Sequence, residues 1–207
     1  MTSPVRMVLV LSLIALVSGV ALGGLFSVTR EQAENNVLKF KKIPAVVAIS
    51  EAVSGPLDDA AKAALEQQLL AEKRTVDVGG KDPLLFFVVS KDGAPHAVAL
   101  EGVGQGFGGD VGVMAGIAIE GGGLVGIGVT TMSETPGVGT RVLEPTFTKQ
   151  FAGMPADTVV KVKKDGGAVD AVSGATITSR AVAAGVQGAR ETFEQHREAI
   201  LGAVGAP

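Results

Sequence analysis

Cysteine, tryptophan and tyrosine are absent from this 207-residue sequence, and histidine occurs only twice. Without cysteine there is no disulfide, no thiolate metal site, no cysteine-held iron–sulfur cluster and no Cys nucleophile. Compartment stays open on that ground, because disulfide-free proteins occur on both sides of a membrane. His96 and His196 lie far apart in the chain and read as ordinary surface or core residues, not as a ligand pair. Basic charge is also short: 18 Lys and Arg against 21 Asp and Glu leave a net charge of −3. Such a chain has no field to hold a nucleic-acid backbone, and it lacks the Tyr and Trp on which bases commonly stack. Its Ser, His, Asp and Glu residues form no recognisable hydrolase signature. Nucleic-acid binding and triad hydrolysis are therefore set aside.

What the sequence does have is apolar length. It is 46% hydrophobic and 19% charged, with a positive mean hydropathy. No charge falls between Arg6 and Arg30, and Met7 to Thr29 is rich in Leu, Val, Ile and Ala. Wound as a helix, that run is ~34 Å long, slightly more than a hydrocarbon core. Residues 1–30 thus read as a retained single-span anchor. The competing reading is a cleaved signal peptide, with Arg6 as its basic region and Ala21 and Gly23 before the cut. The run is long for a signal sequence, which favours the anchor. Arg30 to Asn36 is polar and could carry the helix beyond the membrane surface. Counting Arg30, Lys39, Lys41 and Lys42 against Arg6 would put the large domain in the cytoplasm. Long domains translocate largely regardless of such charges, so charge alone leaves orientation open.

Past the anchor, residues 31–80 form a helical and linker region punctuated by Pro44 and Ser54-Gly55-Pro56. Leu57, Ala61, Ala64, Leu65 and Leu69 recur at helical spacing, which predicts an amphipathic helix over 57–73. Residues 81–207 then carry the main domain. Strands are expected at 84–90 and 96–100, joined by the turn Lys91-Asp92-Gly93. In the glycine-dense block 102–139, Val111, Val113, Ala115, Ile117 and Ile119 alternate with Gly112, Met114, Gly116 and Ala118. Val125, Ile127 and Val129 alternate with Gly126 and Gly128. The pattern predicts a hairpin with one branched apolar face and one bare face, onto which a helix or a flat cofactor could pack closely. Gly104 to Gly109 satisfies G-x-G-x-x-G, but a strand, not a helix, is expected next, so it is no dinucleotide fingerprint. A short helix bent near Pro145 is expected within 139–152, and a last strand at 157–164. A closing helix spans about 178–201, with Val182, Val186, Ala189 and Phe193 buried. Arg180, Gln187, Arg190, Glu191 and Glu194 are assigned to water. Gly185 and Gly188 imply tight packing of this helix, plausibly on the bare sheet face. The fold class is α+β: an N-terminal transmembrane helix and a mainly antiparallel sheet with flanking helices.

Asp170-Ala171-Val172-Ser173-Gly174-Ala175-Thr176-Ile177-Thr178-Ser179 stands just before that helix, with its hydroxyls bunched at the helix start. N-capping is one account of them. The same exposed N–H groups and helix dipole also favour a phosphate, and Gly174 and Ala175 leave room for one.

Asp-x-x-Ser-Gly-Ala-Thr followed by Ile-Thr-Ser resembles the flavinylation motif of FMN-binding domains in the G subunit of Rnf electron-transport complexes. The C subunit of the sodium-translocating NADH:quinone reductase is a close relative. The resemblance implies FMN joined covalently, through a phosphoester, to Thr176. It also implies a flavin transferase that recognises Asp170, with Ser173, Gly174, Ala175 and Thr178 around the cofactor. Ser133-Glu134-Thr135-Pro136-Gly137-Val138-Gly139 is similar to the family's Glu-Thr-Pro-Gly-Leu-Gly loop, which places Glu134, Thr135, Pro136 and Gly137 near the flavin. By itself that segment is a Pro-Gly turn ending a strand. Val138 departs from the usual leucine, and Met132 stands where many Rnf relatives have histidine. The short length and the Ile-Thr-Ser-Arg-Ala-Val continuation look more like the Rnf protein than the quinone-reductase one. The implied function is electron transfer within an ion-translocating ferredoxin:NAD oxidoreductase, beside other membrane subunits and without turnover of its own. The implied location is the outer, periplasmic face of the cytoplasmic membrane. The alternatives are the quinone-reductase component, a stand-alone extracytoplasmic FMN carrier, and a membrane-tethered structural domain whose hydroxyls merely cap a helix.

Overall fold

A computed structural model of the chain describes residues 4–80 and 82–205. It divides into two compact units, Met1–Leu38 and Lys39–Pro207. The first unit is essentially one helix, α1 (Pro4–Val37). Its stretch Pro4–Arg30 is long and apolar enough to cross a membrane. Leu11, Leu13, Leu16, Val20 and Leu25, pointing in several directions round the helix, are all exposed. The hydroxyls of Ser27 and Thr29 donate back to the carbonyls of Gly24 (2.9 Å) and Leu25 (2.8 Å), which satisfies polar groups within an apolar run.

The second unit begins with α2 (Ile43–Ser54) and α3 (Asp59–Ala71). Asp58 caps α3 by accepting from the Ala61 N–H at 2.7 Å. Five strands follow: β1 (Arg74–Val76), β2 (Leu84–Lys91), β3 (Ala94–Gln105), β4 (Asp110–Ala118) and β5 (Leu124–Thr131). They pair antiparallel in chain order as a meander. After β5 come a 3₁₀ turn (Gly139–Leu143), a single helical turn α4 (Pro145–Thr148), α5 (Thr176–Gln195) and α6 (Arg197–Val204). The unit starts at Lys39, so α2 and α3, assigned from sequence to a linker region, lie inside it.

Strand periodicity sorts the two faces of the sheet. Val111, Val113, Ala115 and Ile117 of β4 are buried toward α5, together with Val182, Val186, Ala189 and Phe193. The bare face of the hairpin carries α2, not the closing helix. A methyl at Gly116 would meet Ile49, one at Gly126 would meet Ala52, and one at Gly128 would meet Ala45. The expectation that α5 covers the bare face is thereby corrected. Its close approach is instead to β3, where methyls at Gly102 and Gly104 would overlap the carbonyls of Gly185 and Ala181. Gly188 has no neighbour within 4 Å of an added methyl, so packing does not account for it.

Three further expectations change. Residues 157–164 form no strand; the only pairing there is an isolated bridge, Val162 to Val169. Beside it, the Arg190 guanidinium donates to the carbonyls of Thr158 (2.6 Å) and Pro155 (3.4 Å). Arg190 is accordingly buried on α5, not turned to water. Last, the closing helix starts at Thr176 and breaks at His196. The break swings α6 round so that Ile200 is buried and the Ala203 carbonyl accepts from Arg74 at the start of β1.

Candidate functional site

The loop after β5 and the segment before α5 meet at one end of the sheet. In the first, Pro136 and Gly137 occupy the middle of a turn closed by Val138 N–H to the Thr135 carbonyl (3.2 Å). Gly137 has φ +74°, a conformation in which a side chain would be strained. In the second, Ser173 and Gly174 form a turn closed by Ala175 N–H to the Val172 carbonyl (3.0 Å), and Gly174 has φ +81°. The two turns approach each other: a methyl at Gly174 would lie 3.9 Å from Val138 Cγ1.

Glu134 ties these pieces together. Its carboxylate is buried, and Oε1 accepts from the backbone N–H groups of Phe107 (2.8 Å) and Gly108 (3.0 Å). Oε2 accepts from the Thr178 hydroxyl at 2.6 Å. Burial pushes the Glu134 pKa up, but the bonds from Thr178, Gly108 and Phe107 outweigh it and hold the group below the ordinary glutamate value. The residue is therefore ionised and fully engaged. It lines the site by fixing its walls.

The hydroxyls at the helix start have distinct fates. Thr178 is buried on Glu134. Ser179 is buried, donating to the Ala175 carbonyl (2.9 Å) and accepting from the Val172 N–H (3.0 Å). Ser173 is exposed on its turn. Thr176 is half-buried at the first position of α5 and has no such hydrogen-bond partner among the described residues. The N-cap position belongs to Ala175, and no side chain caps the helix. That weighs against capping as the reason for the hydroxyl cluster.

A cleft of about 350 Å³ opens here, lined by Glu134, Thr135, Val138, Gly139, Gly174, Ala175, Thr176, Ile177 and Thr178, with Phe107 from the β3–β4 turn. The structure thus brings Thr176, Gly174, Ala175, Thr178, Glu134 and Thr135 to one place. Ser173, Pro136 and Gly137 shape its turns without lining it. Asp170 lies outside, at the surface. Its backbone is gripped by Gln150, whose amide accepts from Asp170 N (2.7 Å) and donates to Asp170 O (3.2 Å). Its carboxylate pairs with Lys163 at 2.7 Å. Sequence reasoning missed Phe107, Val138, Gly139 and Ile177 as lining residues. The signal for Phe107 was present, a phenylalanine set among glycines in the discarded G-x-G-x-x-G match.

These residues fit a phosphate-bearing cofactor. An uncapped helix N-terminus supplies N–H groups and a favourable dipole. The left-handed Gly174 leaves the approach free of side chain, and one half-buried hydroxyl stands beside the N–H groups.

A five-stranded antiparallel meander clamped between two helices, with a helix-start cleft at one end, defines the class as an α+β domain with one candidate binding cleft at the start of α5. Residues 106–191 match the FMN-binding domain family, the family that the two motifs resemble. The chain is 34% identical over 137 residues to the G subunit of an ion-translocating oxidoreductase complex from Cereibacter sphaeroides, covering 63% of this chain and 62% of that protein. It is 36% identical over 126 residues to the G subunit of the like-named complex from Pseudomonas aeruginosa, covering 58% of each. The chain thus spans less than two thirds of the length of these relatives. Among solved structures, the C subunit of the Na⁺-translocating NADH-quinone reductase from Parabacteroides distasonis has the same fold. Its TM-score is 0.54 at 21% identity, covering 73% of this chain and 88% of that one.

Proposed function

We propose that this protein is a membrane-anchored electron-transfer subunit of an ion-translocating oxidoreductase complex, carrying FMN covalently on Thr176. The observation that carries the reading is the state of the hydroxyls. Thr178 and Ser179 are buried and bonded, whereas Thr176 stands on an uncapped helix start in the cleft of an FMN-binding domain. A phosphoester at Thr176 Oγ1 forms, in net terms, with loss of one water between that hydroxyl and the FMN phosphate.

Bound FMN supplies the electron-carrying chemistry. The chain's own residues hold and orient it. The free N–H groups of the first turn of α5 would hold the phosphate. Glu134 locks the Phe107–Gly108 turn to Thr178 and so sets the mouth and floor of the cleft relative to each other. Asp170, exposed and held by Gln150, is available to a flavin transferase during maturation. The helix Pro4–Arg30 serves as the membrane span, with the domain on the periplasmic face. A covalent link suits that side, where a dissociated cofactor would be diluted beyond recapture. Partners are the other membrane subunits of the complex, as the names of the Cereibacter and Pseudomonas relatives suggest.

The test is mass. Full-length chain made with a flavin transferase gains FMN less one water, and peptide mapping puts the addition on Thr176. Thr176→Ala stays at its unmodified mass and keeps its fold, because a side chain with no hydrogen bond contributes about 1 kcal/mol or less there. Colourless wild-type protein of unmodified mass would end the proposal.

A further inference from the structure

Phe86, Phe87, Phe147, Phe151 and Phe193 are buried, whereas Phe107 is 75% exposed. The main chain of its turn is fixed by hydrogen bonds. Gly106 N–H bonds to the Gly109 carbonyl (2.9 Å), and the Phe107 and Gly108 N–H groups are held by Glu134. Methyls at Gly106 and Gly108 would overlap Glu134 Oε1 and the Ser133 carbonyl, so the turn is sewn onto the loop that follows β5. A buried carboxylate and two close-packed glycines therefore hold an aromatic ring out in water. They hold it at the rim of the cleft that contains Thr176. Val138 and Ile177, 43% and 46% exposed, line the same cleft. Exposed apolar groups beside the Thr176 hydroxyl are suited to a flat heteroaromatic ring.

We propose that Phe107 is a specificity-determining residue that stacks on the flavin ring carried by Thr176. The proposal rests on the FMN reading above. Stacking shields one face of the ring from water and limits its motion on the tether. Val138 and Ile177 add apolar contact, so the site discriminates a fused aromatic ring from other phosphorylated groups.

The sequence makes a clean test possible, since it contains no Trp or Tyr. An indole in contact with an excited flavin quenches its emission by electron donation, and a distant one does not. Full-length Phe107→Trp, Phe107→Ala and Val159→Trp are each made with the flavin transferase, and their loading is equalised by mass. Val159 is the control: it adjoins Thr158, which bonds to Arg190, ~20 Å along α5 from Thr176. Phe107→Trp should lower flavin emission by about fivefold through stacking, and Phe107→Ala should raise iodide quenching by about twofold. Val159→Trp should match the wild type. Equal emission from Phe107→Trp and Val159→Trp, with flavin present in both, overturns this inference alone. Wild-type protein at its unmodified mass overturns the FMN reading as well.

Discussion

Removing the Glu134 carboxylate should loosen the whole site at once. In Glu134→Ala, the Phe107 and Gly108 N–H groups and the Thr178 hydroxyl lose their acceptor. Hydrogen bonds to a charged group contribute about 1.5–3 kcal/mol each, and such losses are not additive, so a net destabilisation of about 4 kcal/mol is expected. For a chain of this size that lowers Tm by about 8–16 °C. Glu134→Gln keeps an oxygen for the two N–H groups, and Thr178 can turn to accept from the amide, so about 1–2 kcal/mol is lost. The pH dependence has a definite sign. The folded-state pKa of Glu134 is lowered, so the unfolded chain takes up the proton first. Its stabilisation is complete above the ordinary glutamate pKa and is lost as pH falls through the lower folded value. Calorimetry of the detergent-solubilised chain from pH 7 down to pH 3 tests this against Glu134→Gln, which lacks that component of the acid loss. Parallel pH profiles for the two proteins, or a Glu134→Ala chain as stable as the wild type, would refute the reasoning.

Other outcomes are equally specific. Gly104→Ala should cost about 2–3 kcal/mol in denaturant unfolding, because the methyl overlaps the Ala181 carbonyl across the β3–α5 contact. Gly188→Ala meets nothing within 4 Å and should stabilise the chain by about 0.5–1 kcal/mol in the same assay. Asp170→Asn should block flavin attachment by mass while leaving Tm unchanged, since among the described residues its carboxylate pairs with the surface Lys163 alone. Arg190→Met should expose the 155–158 backbone to proteolysis, because Thr158 and Pro155 lose their donor.

The β4–β5 hairpin was legible in the sequence because branched residues alternate with glycine along its strands, whereas β1 was not foreseen. The buried stripe of α5 was legible because Val182, Val186, Ala189 and Phe193 fall on one side of a 3.6-residue repeat. Which helix covers which face was not legible. Both α2 and α5 offer small residues, and only the register that puts Gly102 beside Val113 and Gly116 beside Gly126 decides it. The segment 157–164 misled because Val159, Val160 and Val162 carry a strand's composition, while its backbone pairs only through one bridge to Val169 and gives its Thr158 carbonyl to a distant arginine. For the same reason Arg190 looked like a solvent-facing charge. The two motifs were readable; Phe107 stood out as a phenylalanine among glycines, but its place at the cleft was not readable, since it depends on a turn being stitched to Glu134 across the fold.

If the proposed linkage to Thr176 holds, helix geometry as much as sequence selects that hydroxyl among its neighbours. Ser173 is exposed yet stands outside the cleft, and Thr178 and Ser179 are turned inward and bonded. Ile177 lines the cleft and is 46% exposed, so accessibility alone would let a hydroxyl there serve equally well. It would project about 100° round the helix from position 176, away from the geometry that the uncapped first turn gives Thr176. The double variant Thr176→Ala with Ile177→Thr separates these accounts. If position on the helix decides, the double variant emerges from co-expression with the transferase at its unmodified mass, whereas Thr176→Ser is still flavinylated. A flavin mapped to position 177 would mean that exposure within the cleft suffices and that the helix start contributes nothing to the choice.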